Sequence, residues 1–195
     1  MATQIAQPST QQKTPAGFTL YTAENAPEAS RDSLKGVQKM FGGALPNLFA
    51  VLAGSPALLA ANMATMQQLS HISLSEVEKQ IVDLAVSHQN TCDYCVAAHT
   101  FLSRNLPQDP IEAAGSGHSI ADPKLESLRK FAVEMVKTSG RPDAATKTNF
   151  HTYYNVEQAL EVILLLTVKS LQNYTNNLAE TPIDALFGKS HSAAR

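Results

Sequence analysis

The sequence predicts an all-α protein, and three observations support this. None of its 195 residues lie in a stretch with the sustained alternation and β-branched enrichment that is typical of strands. After about Glu28, most segments instead repeat apolar residues at helical spacing. Serine or aspartate followed by proline, a helix-start signal, recurs along the chain. We therefore expect a single-domain helical bundle.

The domain prediction divides the chain into residues 1–28, a polar and largely flexible N-terminal tail, and residues 29–195, the helical domain. The first 16 residues or so are mostly Gln, Thr, Ser and Pro, with few large apolar side chains to offset the entropy lost on ordering. A chain of 195 residues suffices for one domain with a sizeable core and is short for two.

The first predicted helices are short and are bounded by glycine or proline. Residues 30–40 form the first, which Gly42 and Gly43 end. A short apolar helix begins at Pro46, and Ser55 caps a third that has Pro56 at its first position.

Ser75 opens the next helix, with Glu78 completing a capping box. Its apolar stripe is predicted at Val77, Ile81, Leu84, Ala85 and His88. Thr91 is predicted to cap the following helix, which ends near Arg104.

Aspartate followed by proline predicts two more helix starts, at Asp109 and Asp122, and the second helix ends near Gly140. Residues 143–153 form a candidate amphipathic helix. Residues 156–179 form the last long helix, which is apolar nearly all round in its middle and so belongs in a core or a subunit interface.

Composition excludes several functional classes. The 15 basic and 17 acidic residues nearly cancel, and no basic run favours nucleic acid or an anionic membrane. The N-terminus lacks the pattern of a signal peptide, and the longest apolar run, residues 162–168, is far too short to cross a bilayer. We expect a cytoplasmic protein with no nucleic-acid or membrane partner.

The two cysteines of the chain, Cys92 and Cys95, are followed by His99. On a helix these side chains fall within roughly 60° of arc, so two thiols and an imidazole share one face. The helix dipole can activate Cys92, and His99 at i+4 can serve Cys95. The pattern predicts a redox dithiol that forms a reversible disulfide.

Two other interpretations of the cysteines stay open. They can be inert buried side chains, or zinc ligands together with His99 and His88. Covalent haem is excluded because Val96, not histidine, follows the second cysteine. We expect no metal and no organic cofactor.

The segments at residues 74–86 and 92–99 resemble the core motif of the carboxymuconolactone decarboxylase and alkylhydroperoxidase D family. The resemblance extends loosely from residues 45–47 to residues 173–184. It implies an all-α fold and a homo-oligomer, whether dimer, trimer or hexamer. Because the peroxidase branch carries E-x11-C-x2-C-x3-H and the decarboxylase branch lacks the cysteines, the resemblance favours the peroxidase-related branch.

The resemblance implies that Cys92 and Cys95 are the redox pair and that His99 belongs to the proton relay. The glutamate of the relay falls at Gln80, whose amide can orient His99 but cannot accept its proton. We expect Gln80 to lie beside His99, and Gln80→Glu to raise peroxide consumption at pH 7.

Three further positions either could support the site or differ from the pattern of the family. Tyr94 stands where the best-studied members have histidine, and packing is the favoured interpretation. His88 is predicted to be a satisfied core histidine with a site role as the alternative. Asn177 stands where a histidine is expected, and its role has no explanation at this level.

These observations predict a thiol-dependent oxidoreductase that reduces a small hydroperoxide or the disulfide of a partner, with an unknown thiol or dithiol as electron donor. The alternatives are a lyase or isomerase acting on a small organic acid, as in the decarboxylase branch, and a non-enzymatic redox sensor.

Overall fold

The computed structural model describes residues 11–188, and its regular elements there are helices, apart from one isolated bridge between Lys13 and Thr19. The predicted all-α class is confirmed. The helices are α1 Glu28–Met40, α2 Asn47–Leu52, α3 Pro56–Gln68, α4 Glu76–Gln89, α5 Asp93–Leu102, α6 Gln108–Gly115, α7 Pro123–Lys137, α8 Ala144–His151 and α9 Val156–Ala179, followed by a 3-10 turn at Ala185–Phe187.

Most predicted helix starts are confirmed by side-chain caps. Ser55 caps α3, Ser75 and Glu78 form the capping box of α4, and Asp122 and Asp143 cap α7 and α8. These signals are local, because a cap depends only on residues two or three positions away.

Two predicted caps are wrong by one or two residues. Thr91 has a φ of 51°, which places it in the left-handed turn that ends α4, so Cys92 becomes the N-cap of α5. Asp109 lies inside α6, whose N-cap position is Pro107. In both places the chain turns into the helix at a residue other than the best hydrogen-bonding cap.

Helix α4 lies at the centre of the bundle and contacts α5, α6, α7 and α9. Its middle is buried on all sides because these helices surround it, and Ile81, Val82 and Leu84 have no exposed surface. One apolar cluster joins α4 to α7, α8 and the first half of α9, with Phe150 stacked between Phe131 and Tyr154. A second joins α1, α2, α3 and α5, and includes both cysteines.

The two halves of α9 bury different kinds of side chain. The first half contributes Val162 and Leu165 to the apolar core. The second half buries Lys169, Gln172, Asn173 and Asn176. Although α9 has 24 residues, no helix within residues 11–188 is both long and apolar enough to cross a membrane.

The predicted tail, residues 1–28, lies partly outside the described residues. Residues 11–27 contain no helix, yet Leu20, Ala23 and Ala26 are buried against the bundle. The division into a flexible tail and a domain stays a prediction, but the apolar residues just before α1 belong to the core.

Candidate functional site

The two cysteine sulfurs lie side by side at the start of α5. Both thiols are free, and their Sγ atoms are 2.7 Å apart. Cys92 is the N-cap, and its sulfur accepts the backbone N–H of Cys95 at 3.4 Å. A small approach of the two sulfurs would close a disulfide bond. Both residues are almost fully buried, with exposed fractions of 1% and 3%.

Helix α9 presents a polar stripe to this pair. Lys169, Gln172, Asn173 and Asn176 follow one another at i, i+3, i+4 and i+7, so they share one helix face. Asn176 Nδ2 donates to Cys95 Sγ at 3.3 Å, and Asn173 Nδ2 donates to Ser87 Oγ at 3.1 Å. The stripe therefore brings hydrogen-bond donors and one positive charge to the dithiol.

These contacts make the two thiols unequal. Burial raises the pKa of the Cys95 thiol, but the hydrogen bond from Cys92, the charge of Lys169 and the amides of Asn176 and Asn173 outweigh it and lower the pKa to about 7. The hydrogen bond to Cys95, together with burial, raises the pKa of Cys92. In the favoured arrangement, Cys95 carries the thiolate and Cys92 keeps its proton.

Both ring nitrogens of His99 are engaged away from the sulfurs. Nδ1 lies 2.8 Å from Gln80 Oε1 and 3.4 Å from Asp83 Oδ2, and Nε2 contacts Lys169 Nζ. Because an amide oxygen only accepts, Nδ1 carries the proton and Nε2 accepts from the ammonium. Burial and the charge of Lys169 lower the pKa of His99 to about 4, although Asp83 opposes this shift. The imidazole is therefore neutral at pH 7.

Lys169 connects the histidine to the dithiol side of the site. Its exposed fraction is 2%, and its three ammonium protons face His99 Nε2, Gln172 Oε1 at 2.9 Å and Asp83 Oδ1 at 3.5 Å. A buried charge is tolerated when it is paired and hydrogen-bonded, and Lys169 has two hydrogen bonds and the carboxylate of Asp83 as its ion-pair partner.

The predicted contact between Gln80 and His99 is confirmed by the 2.8 Å distance. Gln80 Oε1 also accepts from Ser103 Oγ at 3.1 Å. The carboxylate that position 80 lacks is present one turn later, at the buried Asp83. The catalytic roles of Cys92, Cys95, His99 and Gln80 stay predictions.

A cavity of about 350 Å³ lies beside this network. Gln80, Asp83, His99 and Lys169 form its polar end, and aromatic and aliphatic side chains form most of the remaining wall, which also includes Ser70, Glu76, Lys79 and Gln172. Neither sulfur lines it, although Ala98, one turn after Cys95, does. The apolar wall includes Phe41, Leu48, Phe49, Leu102, Leu165 and Phe187.

Tyr94 holds the flanks of the site together. Its hydroxyl donates to Asp184 Oδ2 at 2.6 Å and accepts the backbone N–H of Leu48 at 3.1 Å, while Asp184 also accepts the N–H of Asn47. Tyr94 thus joins α5 to the segments around residues 45–48 and 182–184.

The predicted burial of His88 is wrong. His88 is exposed in the last turn of α4 and packs on Gly117, where an added Cβ would lie 2.4 Å from His88 Nε2. Within residues 11–188, no three His, Cys, Asp or Glu side chains are grouped so as to hold a metal ion.

Asn177 has a structural explanation, because its Nδ2 donates to Asn90 O at 2.8 Å and ties α9 to the end of α4.

Asp83 and the polar stripe of α9 were not predicted from the sequence. A detectable signal was present, since Lys169, Asn173 and Asn176 recur at helical spacing within an otherwise apolar helix. Polar residues on the buried face of a core helix require partners and therefore indicate a network.

The model of the carboxymuconolactone decarboxylase family matches residues 56–128, which include α4, α5 and both cysteines. The chain has no significant match among curated proteins.

Solved structures share the fold over most of the chain. A peroxidase-related protein from Ralstonia eutropha JMP134, described as an alkylhydroperoxidase AhpD core, is 22% identical with a TM-score of 0.75, over 87% of this chain and 93% of that one. A peroxidase-related protein from Silicibacter sp. TM1040 is 20% identical with a TM-score of 0.76, over 94% and 99%.

The debrominase Bmp8 is 17% identical with a TM-score of 0.72, over 86% of this chain and 91% of that one. A variant of that debrominase, in which alanine replaces a cysteine, has a structure in complex with 2,3,4-tribromopyrrole. At these identities the structural likeness shows the fold, and the family match covers the cysteine motif. The chain therefore has the fold of the AhpD core, and its segment at residues 56–128 is similar to the carboxymuconolactone decarboxylase family.

Proposed function

We propose that this protein is a dithiol oxidoreductase that reduces small organic hydroperoxides, with Cys95 as the attacking thiolate and Cys92 as the resolving thiol. The observation that carries the proposal is the pair of free sulfurs 2.7 Å apart, of which only Cys95 contacts the donors of α9. A lowered pKa increases the thiolate fraction of Cys95 at neutral pH, and the thiolate is the nucleophile.

In the first step, the Cys95 thiolate attacks the terminal oxygen of the hydroperoxide. The S–O bond forms, the O–O bond breaks, and the product is a sulfenic acid with an alkoxide as leaving group. Lys169 and the His99 bonded to it line the cavity and supply a proton to the alkoxide, which leaves as an alcohol.

In the second step, the Cys92 thiol gives up its proton and attacks the sulfenic sulfur of Cys95. The S–S bond forms, and hydroxide leaves and is protonated to water. The substrate has then gained two electrons and the dithiol has lost two, so a thiol or dithiol donor must return them before the next turnover.

The cavity supports a substrate with an apolar body and a polar end. Its wall is mostly aromatic and aliphatic, while Lys169 and His99 lie at one end. Because neither sulfur lines the cavity, the wall at Ala98 must shift before a hydroperoxide reaches Cys95.

Assembly as a homo-oligomer belongs to the same proposal. Large apolar side chains are exposed on one face of α9, at positions i, i+4, i+7, i+18 and i+22 counted from Val156. A second copy of the chain packed against this face would remove them from water. Light scattering at micromolar concentration tests the proposal, and a monomer contradicts it. The exposed residues are Val156, Leu160, Ile163, Tyr174 and Leu178.

A second candidate function is reductive removal of bromine from a small aromatic ring. The mostly apolar cavity and the fold shared with a debrominase favour it. A thiolate would take bromine from carbon, a proton would replace it on the ring, and attack by the second thiol would release bromide and form the disulfide. The dithiol again supplies two electrons.

One experiment separates these functions. Fully reduced protein is mixed with one equivalent of cumene hydroperoxide or of tribromopyrrole, and free thiols, alcohol and bromide are measured. The proposal predicts loss of two thiols per chain, one alcohol formed and no reaction in Cys95→Ser. Bromide release without alcohol formation would favour the second candidate. No thiol loss with either compound would contradict both and leave the lyase and redox-sensor alternatives.

A further inference from the structure

A second pocket lies behind the dithiol, at the ends of α4 and α9. Its volume is also about 350 Å³, and Tyr94 lines both this pocket and the apolar cavity. The pocket is polar, and within residues 11–188 no lysine or arginine lines it. Its lining residues are Thr91, Asp93, Tyr94, Asn176, Asn177, Glu180 and Thr181.

Two side-chain oxygens, both buried on residues that line this pocket, have no hydrogen-bond partner among residues 11–188. They are Asn176 Oδ1 and Thr181 Oγ1, and the exposed fractions of these residues are 3% and 7%. A buried polar atom without a partner is unfavourable by about 1 to 3 kcal/mol, so an unsatisfied pair in one pocket indicates a bound hydrogen-bonding group.

The charges around the pocket specify that group as a cationic donor. Asp93 and Glu180 add two carboxylates, and none of the described residues that line the pocket is basic. The carboxyl ends of α4 and α9 border the pocket, because Thr91 follows α4 and Glu180 follows α9. Helix C-termini favour positive charge. The first turn of α5 has the opposite polarity, but Asp93 lies in that turn.

The pocket also adjoins the sulfurs. Thr91 and Asp93 are the chain neighbours of Cys92, and Asn176, whose oxygen lacks a partner, donates its Nδ2 to Cys95 Sγ. Neither sulfur lines this pocket, so its wall must shift before a molecule held here reaches Cys92.

We propose that this pocket binds the reductant and that the reductant is a small thiol carrying a protonated amino group. The inference rests on the proposed dithiol function. The ammonium would donate to Asn176 Oδ1 and Thr181 Oγ1 and pair with Asp93 and Glu180, which places the thiol beside Cys92.

The reduction then balances in two exchanges. The bound thiolate attacks Cys92, a mixed disulfide forms, and the Cys95 thiolate leaves, stabilised by Asn176 and Lys169. A second aminothiol attacks the mixed disulfide, Cys92 leaves as a thiolate that takes a proton, and the aminothiol disulfide is released. Two electrons pass from two aminothiols to the protein.

The test compares three small thiols as reductants of the isolated Cys92–Cys95 disulfide. They are cysteamine, 2-mercaptoethanol and 3-mercaptopropionate, which differ in charge, and each rate constant is corrected for its thiolate fraction. We expect cysteamine to react about tenfold faster than 3-mercaptopropionate at low salt, and the ratio to fall as salt screens the carboxylates. The Asp93→Asn/Glu180→Gln variant should lose the preference, and Glu157→Gln, at the far end of α9, should keep it.

Equal corrected rates for the three thiols, or an unchanged preference in the double variant, would overturn the inference and leave the proposed function intact. If hydroperoxide forms no disulfide, the proposed function fails instead. The pocket is then tested alone, by titrating the reduced protein with millimolar ethylammonium chloride and following the NMR signals of Asn176 and Thr181. Absence of shifts at both would overturn amine binding.

Discussion

The two halves of α9 bury side chains of opposite character. In the first half, Val162 and Leu165 pack in the apolar cluster with α4, α7 and α8. In the second half, Lys169, Gln172 and Asn176 are as deeply buried but meet polar partners. The first half carries the ordinary packing of a helical bundle, and the second half surrounds the thiols.

The comparison shows that one half of α9 contributes mainly to stability and the other half mainly to the chemistry of the site. Apolar burial contributes roughly 25 cal/mol per Å² without requiring a partner. A buried ammonium must instead be matched by acceptors, and its field acts on every titratable group nearby. Lys169 lowers the pKa of both Cys95 and His99, so the polar half prepares a thiolate and a neutral imidazole.

The largest expected effect comes from removing the charge pair of the polar half. Lys169→Met combined with Asp83→Asn should slow peroxide-driven thiol oxidation at pH 7 roughly 100-fold, because the thiolate fraction falls and a proton donor is lost. The wild-type rate should rise with pH through about 7, the pKa of Cys95, and in the variant this rise should move to higher pH. Stopped-flow measurement of thiol loss checks both.

Removing both charges avoids leaving a buried carboxylate unpaired, so the variant should keep its unfolding free energy within about 1 kcal/mol. The matched control is Lys79→Met, since Lys79 also lines the cavity but pairs with Glu76. A comparable loss of rate in that control would contradict a specific role for Lys169.

The next effect tests the apolar half. Val162→Ala should lower the free energy of unfolding by about 2 kcal/mol, through two buried methyl groups and the space they leave. The oxidation rate of the folded protein should not change, because Val162 contacts neither the cavity nor the thiols. Urea denaturation and the thiol assay measure the two effects. A slowed reaction would mean that the halves are coupled.

Acid should destabilise the protein through His99. Its pKa is about 4 when folded and about 6.5 when unfolded, so the unfolded chain binds the proton first as pH falls. The stability that His99 contributes is complete above about pH 6.5 and is lost as pH falls towards 4. We expect a loss of about 1 to 2 kcal/mol between pH 7 and pH 5.

Denaturation as a function of pH measures this loss. His99→Gln should reduce the acid sensitivity, whereas His118→Gln, which changes an exposed histidine, should retain it. Equal acid sensitivity in wild type and His99→Gln would remove His99 as the cause.

The smallest effect is expected for Gln80→Glu. A carboxylate at Gln80 should raise the pKa of His99 by about one or two units, but from a value near 4 the imidazole stays mostly neutral at pH 7. The rate at pH 7 should change by less than about threefold, which is smaller than the sequence alone predicts, and the change should appear below pH 6. A large increase at pH 7 would show that His99 titrates near neutrality.

What could be predicted from the sequence was local. The caps at Ser55, Ser75 and Asp122 and the bounds of α9 depend on neighbouring residues, and they were predicted. The spacing of Cys92 and Cys95 likewise predicted that the two sulfurs lie together, whereas His99 turns its ring nitrogens to Gln80 and Lys169.

What the sequence did not reveal depends on distant packing. Lys169 and His99 lie 70 residues apart, and only the crossing of α9 over α5 brings them into contact. His88 has the spacing of a buried residue, but its side chain is exposed and lies against the loop at Gly117 instead. Periodicity identifies a face without showing which helix covers it.

The most direct test of the account is to find which sulfur reacts first. One equivalent of hydroperoxide is added to Cys92→Ser and to Cys95→Ser, sulfenic acid is trapped with dimedone, and the adduct is located by mass spectrometry. The account predicts an adduct on Cys95 in Cys92→Ser and little or none in Cys95→Ser, because only Cys95 receives the donors of α9. An adduct that forms readily on Cys92 and not on Cys95 would contradict it.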